Sequence, residues 1–275
     1  MAKPTRSLSL NDKNTVALLD ETCLWSAPFG RMLLDEVAYR DKMRFLDIGP
    51  GTGFPLIELA QRLYKSEAYG IDPWDAARRR IKAKADLLGL TNVSIVKGKA
   101  ERLPFDDDFF DLIVSNNGLN NVSDIGRVLE ECRRTMKKGA RLVFTVNLPG
   151  SMKEFYAVFR TVLRRNKMEP LVADVDRHIR SKRLPEKAWM GLLKAHNFRN
   201  ITSSTDSFSF KFSNAEAIFG HFFMKIAFIP SWEEIVPAKD RKKIFRDIKS
   251  DLNALSGKKG CIELTIPMIC FNCGK

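Results

Sequence analysis

Apolar positions along this chain switch repeatedly between two periods. Phe45-Leu46-Asp47-Ile48 is a short, nearly continuous apolar run that ends on Gly49-Pro50-Gly51-Thr52-Gly53, a pattern that predicts a buried strand entering a glycine turn. Pro55–Leu63 then places apolar residues at i, i+3, i+4 and i+7, the spacing of a helix with one buried face. The alternation continues with a strand ending at Tyr69-Gly70-Ile71-Asp72, a helix over Ala76–Leu88, a strand at Val93–Val96 and a strand over Phe110–Gly118. A helix from about Asp124 to Met136 follows. Its end is marked by Lys137-Lys138-Gly139, basic residues and then glycine, as a helix C-terminus prefers. Arg141–Asn147 is the next strand. Strand and helix in turn force parallel pairing through right-handed crossovers.

The flanks read differently. Before the first strand, Trp25-Ser26-Ala27-Pro28-Phe29-Gly30 breaks two helical patterns, and Arg31–Tyr39 leads into the sheet. After residue 150 come a helix over Ser151–Met168, carrying Phe155, Tyr156, Phe159 and Leu163, and another over Glu186–His196. Ile201, Ser203, Thr205 and Ser207 against Phe208, Phe210 and Phe212 mark a half-buried strand. Residues 214–256 read as helices inserted before a closing strand, Cys261–Cys270. Their stretch from Ile218 to Trp232 is unusually aromatic, which suits either a substrate lid or plain packing onto the sheet. The expected organisation is a helical cap over 1–40, a cofactor-binding core over 41–150, and a half over 151–275 that completes the sheet and carries the lid at about 214–256.

The glycine turn is selective in its chemistry. A dinucleotide fingerprint runs G-x-G-x-x-G, but here the spacing is G-x-G-x-G and Phe54 occupies the third glycine's place. No Gly-Lys-Ser/Thr follows, so it is not a P-loop. Asp47, two residues before the first glycine, would repel a pyrophosphate. An acid at that point suits a ligand with positive charge, and S-adenosylmethionine carries both a sulfonium and an α-ammonium. Asp72 lies 25 residues beyond Asp47 at the end of the second strand, where an acid accepts hydrogen bonds from ribose hydroxyls. Pro73 and Trp74 follow, with Trp74 placed to lie against adenine. Gly98-Lys99-Ala100-Glu101 forms the third turn, and the fourth strand ends in Ser115-Asn116-Asn117-Gly118.

These four signals, in this order, resemble the class I S-adenosylmethionine-dependent methyltransferases, nearest to the ubiquinone/menaquinone-biosynthesis branch, over roughly residues 41–150. The resemblance implies an α/β fold: a Rossmann-like, doubly wound, seven-stranded and mostly parallel sheet with a reversed C-terminal hairpin and helical lid insertions. It implies that Asp47, Gly49, Pro50, Gly51, Thr52 and Gly53 surround the methionine end of the cofactor, and that Asp72, Pro73 and Trp74 meet the ribose and adenine. Lys99, Ala100 and Glu101 should lie near adenine and Asn116 beside the methyl. The family's third motif usually has Asp where this chain has Lys99, and Lys cannot accept a hydrogen bond from the adenine amino group. In resembling enzymes the N-terminal segment folds over the cofactor, so Trp25 and Phe29 are either a shield for the sulfonium or ordinary core anchors.

Composition narrows the rest. The 275 residues allow one large or two small domains, and 44% apolar content supports a full core. No secretory leader is expected from Met1–Ser7, no stretch is long and apolar enough to span a bilayer, and the cytoplasm is the default location. Residues 151–275 hold 23 Lys and Arg against 13 Asp and Glu, while the first 150 hold 23 against 20. Basic excess in the C-terminal half points to an anionic partner or to a solvated surface. Five cysteines do not form a disulfide scaffold. Cys23 and Cys132 read as small core residues. Cys270-x-x-Cys273 has one further cysteine, Cys261, nearby, short of the four ligands a structural zinc needs, and no metal is expected.

The expected function is methyl transfer by direct in-line displacement to a small, apolar, anionic metabolite, releasing S-adenosylhomocysteine. His221, in the lid, is the candidate base. Asn117 and Asn120 are candidates for orienting the acceptor. His178, among Arg177, Arg180, Lys182 and Arg183, reads as an anion-binding residue, and His196 as structural. The competing readings are methylation of RNA or protein, motivated by the basic half but without a recognisable RNA module, and a non-catalytic protein that keeps the cofactor pocket, motivated by Lys99.

Overall fold

The computed structural model describes residues 11–20 and 23–275. Seven strands form one sheet: β1 (Arg44–Ile48), β2 (Glu67–Ile71), β3 (Val93–Val96), β4 (Phe110–Asn116), β5 (Met136–Asn147), β6 (Arg199–Phe212) and β7 (Ile262–Gly274). Their order is β3-β2-β1-β4-β5-β7-β6. The pairs β1/β2, β1/β4, β2/β3 and β4/β5 are parallel, and a reversed hairpin closes the sheet. This is the doubly wound arrangement expected from the alternating pattern. The chain winds outward from β1 to β3 and then returns to the other side of β1, which opens a topological switch point between β1 and β4.

β1 takes the centre because it is apolar on both faces. Phe45, Leu46 and Ile48 are buried, each contributing about 2 kcal/mol by burial. One face is covered by α2 (Cys23–Glu36), α3 (Leu56–Arg62) and α4 (Asp75–Leu87), whose Leu33, Leu56, Leu59 and Ile81 join Phe45 and Val114 in a single core. The helix α5 (Ile125–Thr135) is capped by Asp124, whose side chain accepts from the backbone N–H of Arg127 at 3.0 Å. Arg134 of this helix donates to the backbone carbonyls of Leu103 and Phe105 and to the carboxylates of Asp107 and Glu131, while the buried Glu131 also accepts from the Leu103 N–H. This pair fixes the loop after β3.

Contacts divide the chain into two compact units. One holds Met1–Val146, Pro185–Thr205 and Met268–Lys275; the other holds Asn147–Leu184 and Asp206–Pro267. The first contains the parallel sheet, α1 (Lys13–Asp20) and α8 (Glu186–Ala195). The second contains α6 (Lys153–Arg165), α7 (Glu169–Lys182), α9 (Ala215–Gly220), α10 (Phe222–Ala227), α11 (Ile229–Ile235) and α12 (Ala238–Lys259). The insertion before β7 is therefore helical.

Four local expectations need correction. Trp25–Gly30 does not break the helix: α2 runs through Pro28. Pro28 sits early in the helix and removes one backbone bond, and the buried Phe29, Leu33, Leu34 and Val37 hold the helix on the sheet. Lys137-Lys138-Gly139 is not a helix end either. α5 stops at Thr135, and these residues form an irregularity in β5, across which the register moves from Phe110↔Met136 to Leu112↔Arg141. Gly139 supplies the positive φ, and the Lys137 ammonium pairs with Asp111 at 2.8 Å. A glycine after basic residues serves a strand bulge as well as a helix cap. The helix α7 has no counterpart in the sequence reading, because only Val172 and Val175 are buried on it and the apolar period is weak. Finally, β7 extends past Cys270 to Gly274. Cys270 and Cys273 lie three apart in a strand, so their side chains point to opposite faces, and burial pushes both thiols up to about 12. Cys132 is a buried core residue, and the side chain of Cys23 lies outside the described residues.

Candidate cofactor site

The carboxyl ends of β1, β2, β3 and β4 converge on one crevice of about 520 Å³. Its lining takes Ile48, Gly49 and Gly51 from the first turn, Ile71, Asp72, Pro73 and Trp74 from the second, and Lys99, Ala100 and Glu101 from the third. Gly118, Asn121, Val122 and Ser123 close it from the loop after β4. Eight residues singled out from the sequence, drawn from three separate turns, thus share one wall.

Local chemistry explains how the turns are held. Gly49 adopts a φ of +71° and donates to the Ile71 carbonyl at 3.0 Å, which ties the first turn to β2. Asp72 accepts from the backbone N–H of Gly51 at 3.1 Å and of Trp74 at 2.8 Å. Burial raises its pKa, and those two donors work against that rise. A carboxylate retains further lone pairs after two such bonds, so Asp72 can still accept from a ligand hydroxyl. Glu101 accepts from the Ser123 N–H at 2.8 Å. Burial pushes its carboxyl upward, but backbone donors that include Ser123 outweigh it and leave the pKa lowered. Glu101 thereby fastens the loop after β4 to the turn after β3.

Asp47 is the anomaly of the site. It is fully buried at the end of β1, where neither carboxylate oxygen makes a well-formed hydrogen bond and the Leu56 backbone N–H gives only weak relief. Burial, and then the nearby Asp72 charge, push its pKa well above the ordinary carboxylate range. Two acids in one place with raised pKa values are a concentrated demand for positive charge. A sulfonium and an α-ammonium meet that demand and a pyrophosphate does not, so the residues present fit S-adenosylmethionine.

The remaining residues named from sequence lie elsewhere. Asp47 sits outside the crevice lining. Thr52 accepts through its carbonyl from Lys84 at 2.8 Å, and Pro50 accepts from the Gly53 N–H at 2.8 Å. Gly53 serves packing: a Cβ there would lie 3.1 Å from Ile57 and 3.3 Å from Ile81. Asn116 donates to the Ser26 carbonyl of α2 at 3.0 Å and accepts from the Thr145 hydroxyl at 2.8 Å. Asn117, at φ 58°, accepts from the Asn120 amide at 2.5 Å. His221 belongs to the second unit, at the turn between α9 and α10, where it packs edge-on against Phe212 and burial lowers its pKa. Trp25 and Phe29 pack together in α2 with ring centroids 5.6 Å apart.

The sequence reading passed over Gly118, Asn121, Val122 and Ser123. The signal was present in Gly118: a Cβ there would come within 2.7 Å of the Ile48 carbonyl and of the Ser115 hydroxyl, so the close approach of β4's exit to β1 needs glycine.

Residues 46–144 match the methyltransferase domain family model. A demethylmenaquinone methyltransferase of Geobacillus kaustophilus is 34% identical over 125 residues, which cover 44% of this chain and 53% of that protein. The chain thus spans about half the length of the curated relatives it matches. The YcgJ protein of Bacillus subtilis superposes with a TM-score of 0.56 at 18% identity, covering 90% of this chain and 97% of that one. The [4+2]-cyclase SpnF does so with a TM-score of 0.53 at 16% identity, over 90% and 80%, so the same fold also carries a different activity. Over residues 46–144, then, the chain is similar to the methyltransferase domain family, on a sheet shared with solved S-adenosylmethionine-dependent methyltransferases.

Proposed function

We propose that this protein methylates a small, apolar, anion-bearing metabolite by direct in-line displacement. Buried Asp47, with two carboxylate oxygens lacking well-formed hydrogen bonds beside the Gly49–Gly53 turn, carries the reading, because it selects a cationic ligand. When bound, S-adenosylmethionine supplies an electrophilic methyl on a sulfonium. The chain's own work is positional. Asp47 and the first turn hold the methionine end, Asp72 takes the ribose hydroxyls, and Trp74 and Ala100 flank adenine. Holding acceptor and methyl in line supplies about 7–11 kcal/mol of the barrier. Burial lowers the His221 pKa, and His221 is the proposed proton acceptor where the nucleophile carries a proton; Asn117 and Asn120 are proposed to orient the acceptor.

The relatives' quinone-directed names favour a small acceptor over RNA or protein, and the basic C-terminal half suits an anionic one. Lys99 in the crevice wall keeps the cofactor-binding, non-catalytic reading alive. Calorimetric titration with S-adenosylmethionine and S-adenosylhomocysteine tests the pocket, and mass-spectrometric detection of methyl transfer across quinol, carboxylate and phenol acceptors tests the chemistry. Failure of both ligands to bind rejects the reading. Binding without turnover on any acceptor, unchanged by His221→Ala, selects the non-catalytic one.

A further inference from the structure

The second unit buries a cation that its own residues do not neutralise. Arg183 follows the last turn of α7 and is 3% exposed. Its Nη1 lies 3.5 Å from the Tyr156 hydroxyl, and its guanidinium carbon lies 5.5 Å from the centre of the Tyr156 ring. Nε has no partner, and among the described residues no carboxylate pairs with Arg183. Histidines and lysines escape such a position by losing a proton, but a guanidinium does not. The charge remains and requires an anion.

A second donor ends at the same point. The Tyr156 side chain is buried, and its hydroxyl oxygen already receives the Trp232 indole N–H at 3.0 Å besides Arg183. Its lone pairs are engaged, and its own proton meets no acceptor among the described residues. The buried Nε–H of Arg183 and the Tyr156 O–H are therefore two donors on contacting side chains that have no acceptor among the described residues. Around them are apolar rings: Phe155 stacks on Trp232 at 3.8 Å, and Phe228 stacks on it at 5.9 Å. His178 stands with its ring 6.2 Å from that of Tyr156.

We propose that Arg183 and Tyr156 form a buried receptor for the carboxylate of a small apolar molecule, Arg183 offering its Nε–Nη2 edge and Tyr156 its hydroxyl proton. A guanidinium edge presents two parallel N–H groups at the spacing of a carboxylate. Burial, and then the charges of Arg183 and Lys182, lower the pKa of His178 against the opposing charge of Glu234. One fixed positive charge matches a monoanion better than a phosphate dianion. As the recognition point for the methyl acceptor this site rests on the methyl-transfer reading; as a carboxylate site it stands without it.

Thermal unfolding of the full chain tests it, with sodium benzoate and sodium decanoate set against benzamide and decanamide. The carboxylates should raise Tm and the amides should not. Arg183→Met should abolish that difference while leaving the ligand-free Tm equal or higher, since an apolar side chain replaces an uncompensated charge. Arg183→Lys and Tyr156→Phe should each weaken carboxylate binding about tenfold. Equal responses to acids and amides, or an unchanged difference in Arg183→Met, overturn the proposal. So does a lower ligand-free Tm in Arg183→Met, which would make the arginine structural. Calorimetry with S-adenosylhomocysteine, run in parallel, should give the same affinity in all three variants. If the wild type ignores S-adenosylhomocysteine yet shows the Arg183-dependent carboxylate shift, methyl transfer falls and this site stands.

Discussion

Replacing Asp47 with Asn separates a ligand's anchor from a structural carboxylate, because the two roles have opposite signatures. In the free protein the Asp47 oxygens make no well-formed hydrogen bond, and burial and the Asp72 charge disfavour its ionised form more than the Leu56 N–H favours it. Each unit of upward pKa shift corresponds to about 1.36 kcal/mol against the charged state. An Asn amide of the same shape removes that liability, so the free variant should be as stable as the wild type or up to about 1 kcal/mol more stable at neutral pH. In the complex the same change removes a charge-assisted contact to a cation worth about 1.5–3 kcal/mol, which weakens cofactor binding roughly ten- to 150-fold. The pH dependence follows in sign. A carboxyl with a raised folded pKa binds more protons in the native state than in the unfolded one. Wild-type stability therefore falls as pH rises from the unfolded aspartate value of about 3.9 to the folded value. Over that same window cofactor affinity rises, by at most about tenfold per pH unit, because binding takes the ionised form. Urea unfolding and calorimetric titration from pH 4 to 8 on both proteins read these quantities. A variant that loses 2 kcal/mol or more of stability, and binds within threefold of the wild type, would refute the reasoning.

Gly118→Ala should cost about 1–3 kcal/mol of stability in urea unfolding, because the new methyl meets the Ile48 carbonyl and Ser115 hydroxyl at 2.7 Å. It should also weaken cofactor binding, since Gly118 lines the crevice. Arg134→Met should cost about 1–3 kcal/mol by leaving the buried Glu131 with only the longer Arg127 pair at 3.6 Å. The Glu131 pKa is lowered chiefly by Arg134, so that stability is present above the usual glutamate range and is lost as pH falls through the lower folded value; a stability profile of the variant should lack that acid limb. Trp74→Ala should weaken S-adenosylhomocysteine binding about tenfold in calorimetry if the indole lies on adenine, and leave free stability within about 1 kcal/mol.

What the sequence alone determined was the sheet's central half and the chemistry of its turns. The apolar runs at Phe45–Ile48 and Phe110–Asn116 appear as β1 and β4, because strands buried on both faces have no other reading when helices alternate with them. The half-buried Val93–Val96 appears as the edge strand β3. Gly49, Gly51, Asp72, Lys99 and Glu101 were legible for a related reason: each lies at a strand's carboxyl end, where local spacing announces a turn. Elements whose identity depends on distant partners were not legible. α2 crosses Pro28 because Leu33 and Val37 find the sheet, and α7 is a helix although its own sequence has only two buried valines to show for it.

Pairing of groups remote in sequence was likewise a tertiary decision. Asp47 and Asp72 were each visible as acids, but only the parallel register Ile48↔Ile71 brings the ends of their strands side by side. The unpaired state of Asp47 and the buried, unneutralised charge of Arg183 depend on what the fold withholds, namely partners and water. Periodicity records which residues leave solvent, since burial of apolar surface is written into each segment's own spacing. Whether a polar group that leaves solvent finds a counterpart is decided by segments far along the chain, and that is where the unsatisfied buried groups of this protein arise.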